Sequence, residues 1–385
     1  MFGGLIAAFA LLVSGCADFQ DQSAPSDWRP QRSLAPETGP EPQLPGQNNA
    51  APGQIEEQPE PSEIPPPKGC QDFDPSVIAT CLDEVAAVAA LPGSEAQPSG
   101  FAAERASGRV LKVRKDSEAS EIAKLEVDPA GDGGLTGLAL SPTYSEDQLI
   151  YAYITTGSDN RVVRFTPGDT PKPVLTGIPK GGTHNRGALA IDHSGALLVA
   201  TGDAGQPAQA GNPGSMAGKV LRVDGDGQPA QGNPKAGSAI VASGVSAPGG
   251  VCNSADGTTS WVTDRGGSED RLYKLSDSGL GEPAWSWPER QGVAGCASFS
   301  DSVLVAASAK GNVQSLSLNP DGSFNGEPRV TMEGKKGYGR IDGVDIIGDA
   351  GAMVGTVNKA GGQPVSSDDR VVVIVPQSGA GGGKD

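Results

Sequence analysis

A short unit recurs through the body of the chain, in which a glycine opens an apolar strand, a polar turn follows and a second apolar strand returns. The units begin at Gly137, Gly187, Gly250, Gly295 and Gly343. Successive starts differ by 50, 63, 45 and 48 residues, and a weaker copy lies near residues 85–113. This period is typical of β-propeller blades, which bury their faces only against neighbouring blades. The sequence therefore predicts an all-β, six-bladed β-propeller, since the 3.6-residue apolar spacing of a helical solenoid is scarce.

Composition argues against a helical or nucleic-acid-binding protein. The chain has 56 Gly and 32 Pro among 385 residues, and each one inside a helix costs about 1 to 3 kcal/mol. It has 46 acidic and 29 basic residues, a net charge of −17. A nucleic-acid binder needs a basic face for phosphate, so we expect no nucleic-acid partner. No apolar run reaches the roughly 20 residues of a spanning helix.

The first residues are typical of an export signal. Residues 5–13 form an apolar stretch that is too short to span a membrane. It runs into Ser14-Gly15-Cys16, which resembles the cleavage box of bacterial lipoproteins. We therefore predict a signal peptide at 1–15, a lipid on Cys16 and an anchor in the cell membrane, with the folded body on the extracytoplasmic face. The alternative is an ordinary secretion signal in which Cys16 is incidental.

Residues 16–68 are predicted to be a disordered spacer. Twelve of the 52 residues from 17 to 68 are Pro, which removes amide donors and favours an extended chain. The propeller is predicted at 69–376, followed by a flexible tail at 377–385.

Four further cysteines, Cys70, Cys81, Cys252 and Cys296, favour disulfides in an exported protein. Four cysteines allow three pairings. A Cys70–Cys81 bond would close a short loop, and Cys252–Cys296 would then join two distant segments. No pair has the C-x-x-C spacing of a zinc site, which argues against zinc, and we name no metal-ligating residue.

Few side chains suggest chemistry on their own. The chain lacks the nucleophile-elbow, P-loop, zinc-protease and dinucleotide motifs. It has two histidines. His193 lies in a predicted tight turn, where we expect it to be exposed, and His184 lies in a loop that leads into a strand.

An ordered series of segments resembles the glucose/sorbosone dehydrogenase family. The segments are residues 133–142, 160–165, 184–189, 201–205 and 217–223. Members of that family are six-bladed propellers that oxidise sugars with pyrroloquinoline quinone (PQQ). With its cleavage box and spacer, the whole chain is similar to the LppZ-type lipoproteins of actinobacteria.

The resemblance implies a site. His184 would be the general base that takes the proton of the sugar C1 hydroxyl, for which imidazole is suited near neutral pH. The three carboxylates of PQQ need cations, and the candidates are Arg265, Lys310 and Arg340. The resemblance also implies calcium between cofactor and protein.

Several positions depart from the family pattern. Ser246 and Ala247 stand where the family has an Arg-Asn pair, and Asp342 replaces a second arginine. We expect Asp342 to repel a cofactor carboxylate. Arg271 takes the place of an acidic calcium ligand, and Trp285 replaces a tyrosine. The alternative function is therefore a catalytically degenerate propeller that binds an envelope glycan or a protein partner.

Overall fold

The computed structural model describes residues 64–254 and 256–375. The predicted signal peptide, Cys16, most of the spacer and the tail lie outside these residues. Within them, six four-stranded antiparallel sheets are arranged in a closed ring, because the innermost strand of each sheet contacts the innermost strands of both neighbours. The prediction of a six-bladed propeller is confirmed.

The first three blades follow the chain in order. Blade 1 contains β2 (Val85–Ala90), β3 (Ser99–Glu104), β4 (Arg109–Arg114) and β5 (Ser120–Lys124). Blade 2 contains β6 (Leu135–Leu140), β7 (Ile150–Thr155), β8 (Asn160–Phe165) and β9 (Lys172–Ile178). Blade 3 contains β10 (Gly187–Ile191), β11 (Leu197–Thr201), β12 (Lys219–Val223) and β13 (Ile240–Ser243).

The last three blades end with the strand that closes the ring. Blade 4 contains β14 (Pro248–Asn253), β15 (Ser260–Arg265), β16 (Asp270–Leu275) and β17 (Trp285–Trp287). Blade 5 contains β18 (Val293–Ser298), β19 (Ser302–Ala307), β20 (Asn312–Leu318) and β21 (Phe324–Thr331). Blade 6 contains β22 (Ile341–Ile347), β23 (Gly351–Thr356), β24 (Val371–Ile374) and the N-terminal strand β1 (Val77–Ala79).

Helices are short. Strands β6 and β7 are joined by α1 (Tyr144–Asp147), strands β11 and β12 by α2 (Pro207–Gly211), and a 3-10 turn covers Gly334–Lys336. None of the helices within residues 64–375, as far as these are described, is long and apolar enough to cross a membrane.

The recurring glycines allow the innermost strands to approach each other closely. A Cβ added at Gly295 would lie 2.6 Å from the backbone nitrogen of Val344, and one at Gly343 would lie 2.8 Å from the Cα of Ala87. Contacts this short leave no room for a side chain. The close packing of the innermost strands at the centre of the ring therefore requires glycine at these two unit starts.

The outermost strands were not visible in the repeat. In each sheet a fourth strand lies beyond the third, as β9 lies beyond β8 and β13 beyond β12. These fourth strands are largely exposed in β5, β9 and β21. An exposed strand does not require apolar alternation, so its residues carry no strong signal in the sequence.

One disulfide lies in the N-terminal part of the propeller, and a second lies at the centre of the ring. Cys70–Cys81 joins the segment before β1 to the turn after it, with a sulfur–sulfur distance of 2.03 Å. Cys252–Cys296 joins the innermost strands β14 and β18, with a distance of 2.02 Å. Both predicted pairings are confirmed.

Candidate functional site

All four residues predicted to form the site lie at the same end of the ring. In each sheet the start of the innermost strand pairs with the end of the second strand, as Gly187 does with Thr201. His184 precedes β10, Arg340 precedes β22, Arg265 ends β15 and Lys310 follows β19. We call this end of the ring, where the innermost strands begin, the top face.

His184 is held by a buried carboxylate. Its ring Nδ1 lies 2.8 Å from Oδ1 of Asp203, whose side chain is 2 % exposed, whereas the imidazole is 32 % exposed. An ionised carboxylate only accepts hydrogen bonds. Nδ1–H therefore donates to Asp203, and Nε2 keeps a free lone pair. In the tautomer with its proton on Nδ1, this arrangement orients the imidazole as a proton acceptor through Nε2.

Asp203 is itself fixed by neighbours. It accepts hydrogen bonds from the Ser246 hydroxyl at 3.1 Å and from the Gly205 amide at 2.8 Å. His184 has a left-handed backbone with φ of 57°, which is uncommon for a residue other than glycine. The Ala204 amide bonds the His184 carbonyl at 3.2 Å. The base and its carboxylate are thus built from two loops that bond each other.

The loop before His184 and Asn185 is tied down by side-chain bonds. The backbone N–H of Asn185 donates to the Asp132 carboxylate at 2.9 Å. The Asn185 side-chain amide accepts from the backbone N–H of Gly181 and donates to the Gly181 carbonyl. Asn185 is fully buried. The position of His184 therefore depends on a rigid support.

A second cluster lies on the axis of the ring. The Asp342 carboxylate accepts from Arg186 Nη2 at 2.6 Å and from Arg265 Nη2 at 3.0 Å. The three residues come from blades 3, 4 and 6. Asp342 is 4 % and Arg186 is 6 % exposed. Although burial disfavours the charged carboxylate, attraction to Arg186 and Arg265 lowers the pKa of Asp342.

This cluster changes the predicted role of Arg265. Its Nε donates to the Val293 carbonyl at 2.6 Å, and its charge is shared with Asp342. Arg265 therefore does not present a free guanidinium to a ligand. The expected repulsion by Asp342 is also reduced, since Arg186 and Arg265 together exceed its charge by one.

Lys310 and Arg340 line one cavity of about 850 Å³ at the top face. Lys310 Nζ lies 3.4 Å from Glu289, and both side chains are well exposed, so that ion pair is weak. Arg340 Nη1 donates to the Ala360 carbonyl at 2.7 Å. Its buried Nε has no hydrogen-bond partner among the described residues. His184 is not part of the lining of this cavity.

The described residues offer no cluster of acidic side chains for the implied calcium. Within residues 64–254 and 256–375, no group of three or more His, Cys, Asp or Glu side chains is placed to hold a metal ion. Arg271 pairs with Glu269 at 2.9 Å. Trp285 packs edge-on against Phe324, the packing role common for tryptophan at a blade edge.

Sequence reasoning did not select Arg186, Asp203 or Asp264 as site residues. Asp203 lies inside segment 201–205, which resembles the family, and this resemblance was the signal that could have identified it as a site residue. Asp264 is fully buried and accepts the backbone amides of Ser246 and Ala247 at 2.9 and 2.7 Å. Burial raises the pKa of Asp264 to about 6. His193, as expected, is exposed in the turn after β10.

Comparison with known proteins identifies a matching family and several similar structures. The sequence model of the family described as Glucose / Sorbosone dehydrogenase matches residues 82–280, more than half of the chain. The PQQ-bound form of an aldose sugar dehydrogenase from Streptomyces coelicolor is 28% identical, with a TM-score of 0.71 over 80% of this chain and 99% of that chain.

Two other solved structures are similar. A putative oxidoreductase (glucose dehydrogenase) from Thermus thermophilus is 27% identical, with a TM-score of 0.69 over 77% of this chain and 98% of that one. The apo-form of a soluble aldose sugar dehydrogenase from Escherichia coli is 19% identical, with a TM-score of 0.65 over 78% and 99%. This last likeness shows the fold alone. No curated protein matches the sequence.

Proposed function

Because the chain belongs to the glucose/sorbosone dehydrogenase family, we propose that it oxidises aldose sugars at C1 to the corresponding lactones. The observation that carries this proposal is the His184–Asp203 pair, with Nδ1 and Oδ1 at 2.8 Å. His184 Nε2 takes the proton of the C1 hydroxyl as C1 loses its hydrogen as hydride. Asp203 stabilises the imidazolium that results. PQQ, when bound, supplies the two-electron acceptor for that hydride.

Lys310 and Arg340 would hold the carboxylates of PQQ. They line a common cavity, and the Arg340 guanidinium has one carbonyl partner and a buried Nε with none among the described residues. The PQQ-bound structure that is 28% identical supports this cofactor. The axial cluster adds a net single positive charge from Arg186, Arg265 and Asp342. We assign calcium no protein ligand.

A second candidate function is favoured by Asp342. Its carboxylate already forms ion pairs with two arginines on the axis. Fewer unpaired cations therefore remain for a cofactor with three carboxylates. The same propeller would then bind an envelope glycan or a protein partner without oxidising it.

One experiment distinguishes the two functions. The full chain is titrated with PQQ, with and without calcium, and aldose oxidation is followed with an electron-accepting dye. We expect binding at micromolar PQQ and activity that His184→Ala lowers by about 10²- to 10⁴-fold. His193→Ala is the matched control, because it removes the only other histidine from an exposed turn. No PQQ binding would leave the glycan or protein-binding function.

We also propose that Cys16 carries a lipid that anchors the protein at the extracytoplasmic face of the cell membrane. Two observations support this proposal: the apolar stretch 5–13 runs into the cleavage box Ser14-Gly15-Cys16, and the body contains two disulfides, which are typical of exported proteins. Cys16→Ala should move the protein from the membrane fraction to the soluble fraction. Unchanged partitioning would contradict the anchor.

A further inference from the structure

The cavity that Lys310 and Arg340 line at the top face has a third cation at its wall. Lys335 lies in the 3-10 turn Gly334–Lys336, which connects β21 of blade 5 to β22 of blade 6. It lines the same cavity of about 850 Å³. The sequence pattern did not select this residue as part of a site.

The lining of this cavity has an excess of positive charge. Four basic residues and one acidic residue belong to it, namely Lys310, Lys335, Arg340, Arg370 and Asp368. Arg370 pairs with Asp368 at 2.8 Å and with Asp72 at 3.2 Å, so its charge is compensated. The other three cations remain, although the whole chain carries −17. A concave site with this charge favours an anion.

Each of the three cations can still donate to a ligand. The ion pair between Lys310 and Glu289 is long, at 3.4 Å, and exposed. Arg340 uses Nη1 for the Ala360 carbonyl, and its Nε has no partner among the described residues. The exposed Lys335 side chain forms no hydrogen bond or ion pair with the part of the chain that the structure describes. All three donors of its ammonium are therefore available.

Glycines keep the surface around Arg340 open. The cavity is lined by Gly311, Gly334, Gly337, Gly339, Gly361 and Gly362. A Cβ added at Gly361 would lie 3.2 Å from Nη1 of Arg340, and one at Gly362 would lie 3.1 Å from its Cδ. Larger side chains at these positions would crowd the guanidinium. A ligand can therefore approach the guanidinium and the backbone closely.

We propose that Lys335 is a third cofactor-binding residue, which donates to a carboxylate of PQQ beside Lys310 and Arg340. Three uncompensated cations then face a cofactor with three carboxylates. Lys335 thereby replaces the cation that is lost where Asp342 stands in place of a family arginine. This inference rests on the proposed function, since it concerns the same cofactor.

Calorimetric titration of the full chain with PQQ in the presence of calcium tests this role. Lys335→Gln should weaken PQQ binding at least threefold, because a charge-assisted hydrogen bond at an exposed position is lost. Lys335→Arg keeps the charge and should bind PQQ more tightly than Lys335→Gln. Lys336→Gln is the matched control, because Lys336 lies in the same turn and is also exposed but does not line the cavity. It should change the Kd less than threefold.

Three results would overturn the role of Lys335 while leaving the proposed function intact. One is PQQ binding to Lys335→Gln within threefold of wild type. Another is an equal loss in Lys336→Gln, which would show a general effect of surface charge. The third is an affinity of Lys335→Arg as low as that of Lys335→Gln. By contrast, a wild-type chain that does not bind PQQ would refute both this role and the proposed function. Unfolding midpoints in urea equal to wild type would show that the variants keep the fold.

Discussion

Replacing Asp342 by Asn should destabilise the protein strongly, although the shape of the side chain is kept. The carboxylate is 4 % exposed and compensates Arg186 and Arg265 at 2.6 and 3.0 Å. Without it, two guanidinium groups face each other in a site with little water. Breaking a buried ion pair by removing one partner costs about 3 to 5 kcal/mol. Because the Arg265 side chain is 25 % exposed, we expect about 3 kcal/mol.

Urea unfolding of the full chain at pH 7 measures this loss. Asp301→Asn is the matched control, since Asp301 is exposed and, among the side chains of the described residues, bonds only its neighbour Ser302; it should stay within about 0.5 kcal/mol of wild type. A loss below about 1 kcal/mol for Asp342→Asn would refute the view that the carboxylate neutralises the axial arginines.

The same carboxylate gives a pH dependence with a definite sign. The folded pKa of Asp342 is lowered, so its stabilisation is complete above the unfolded value of about 3.9 and is lost as the pH falls through the folded pKa. The difference between wild type and Asp342→Asn should therefore be constant from pH 7 to 5 and shrink only in stronger acid. A difference that shrinks between pH 7 and 5 would contradict this assignment.

Three further predictions concern other parts of the molecule. Asp203→Asn should lower kcat of aldose oxidation about 10²-fold with little change in KM, because the amide no longer fixes the imidazole tautomer; an unchanged kcat would remove Asp203 from the mechanism. Replacing Cys70 and Cys81 by Ser should cost about 3 kcal/mol in urea unfolding for a loop this short, and no loss would mean that the bond does not constrain the unfolded chain. Burial raises the pKa of both Asp264 and Asp345 to about 6. Their ionisation opposes folding, so stability should rise by about 1 to 2 kcal/mol as the pH falls from 7 to 5.5; a fall over that range would contradict the raised values.

The repeat of glycine and apolar strands was sufficient to predict the ring. Glycines such as Gly295 and Gly343 mark where innermost strands touch, and the continuous apolar runs mark strands that are buried on both faces. Both signals are local, since they depend on residues within one blade. The resemblance to a family added His184 as base, and the structure supplies the carboxylate beside it.

The partners of the charged residues were decided by the tertiary structure. Arg186 and Asp342 are 156 positions apart, and Arg265 and Asp342 are 77 apart, yet the ring brings all three to its axis. A charge in a sequence does not show which opposite charge it will meet. That choice depends on where each blade places its innermost strand, so the sequence alone predicted Asp342 as a repelling group and Arg265 as a free one.

What the amino-acid order fixed by itself was the number of blades, the strands that face the hub and the two disulfide pairings it favoured. Only the tertiary structure showed which strand closes the ring, where Val77 pairs with Val372. It also decided the charge balance of the top face. The reason is that strand formation follows from neighbouring residues, whereas closure and ion pairing join positions that are far apart along the chain.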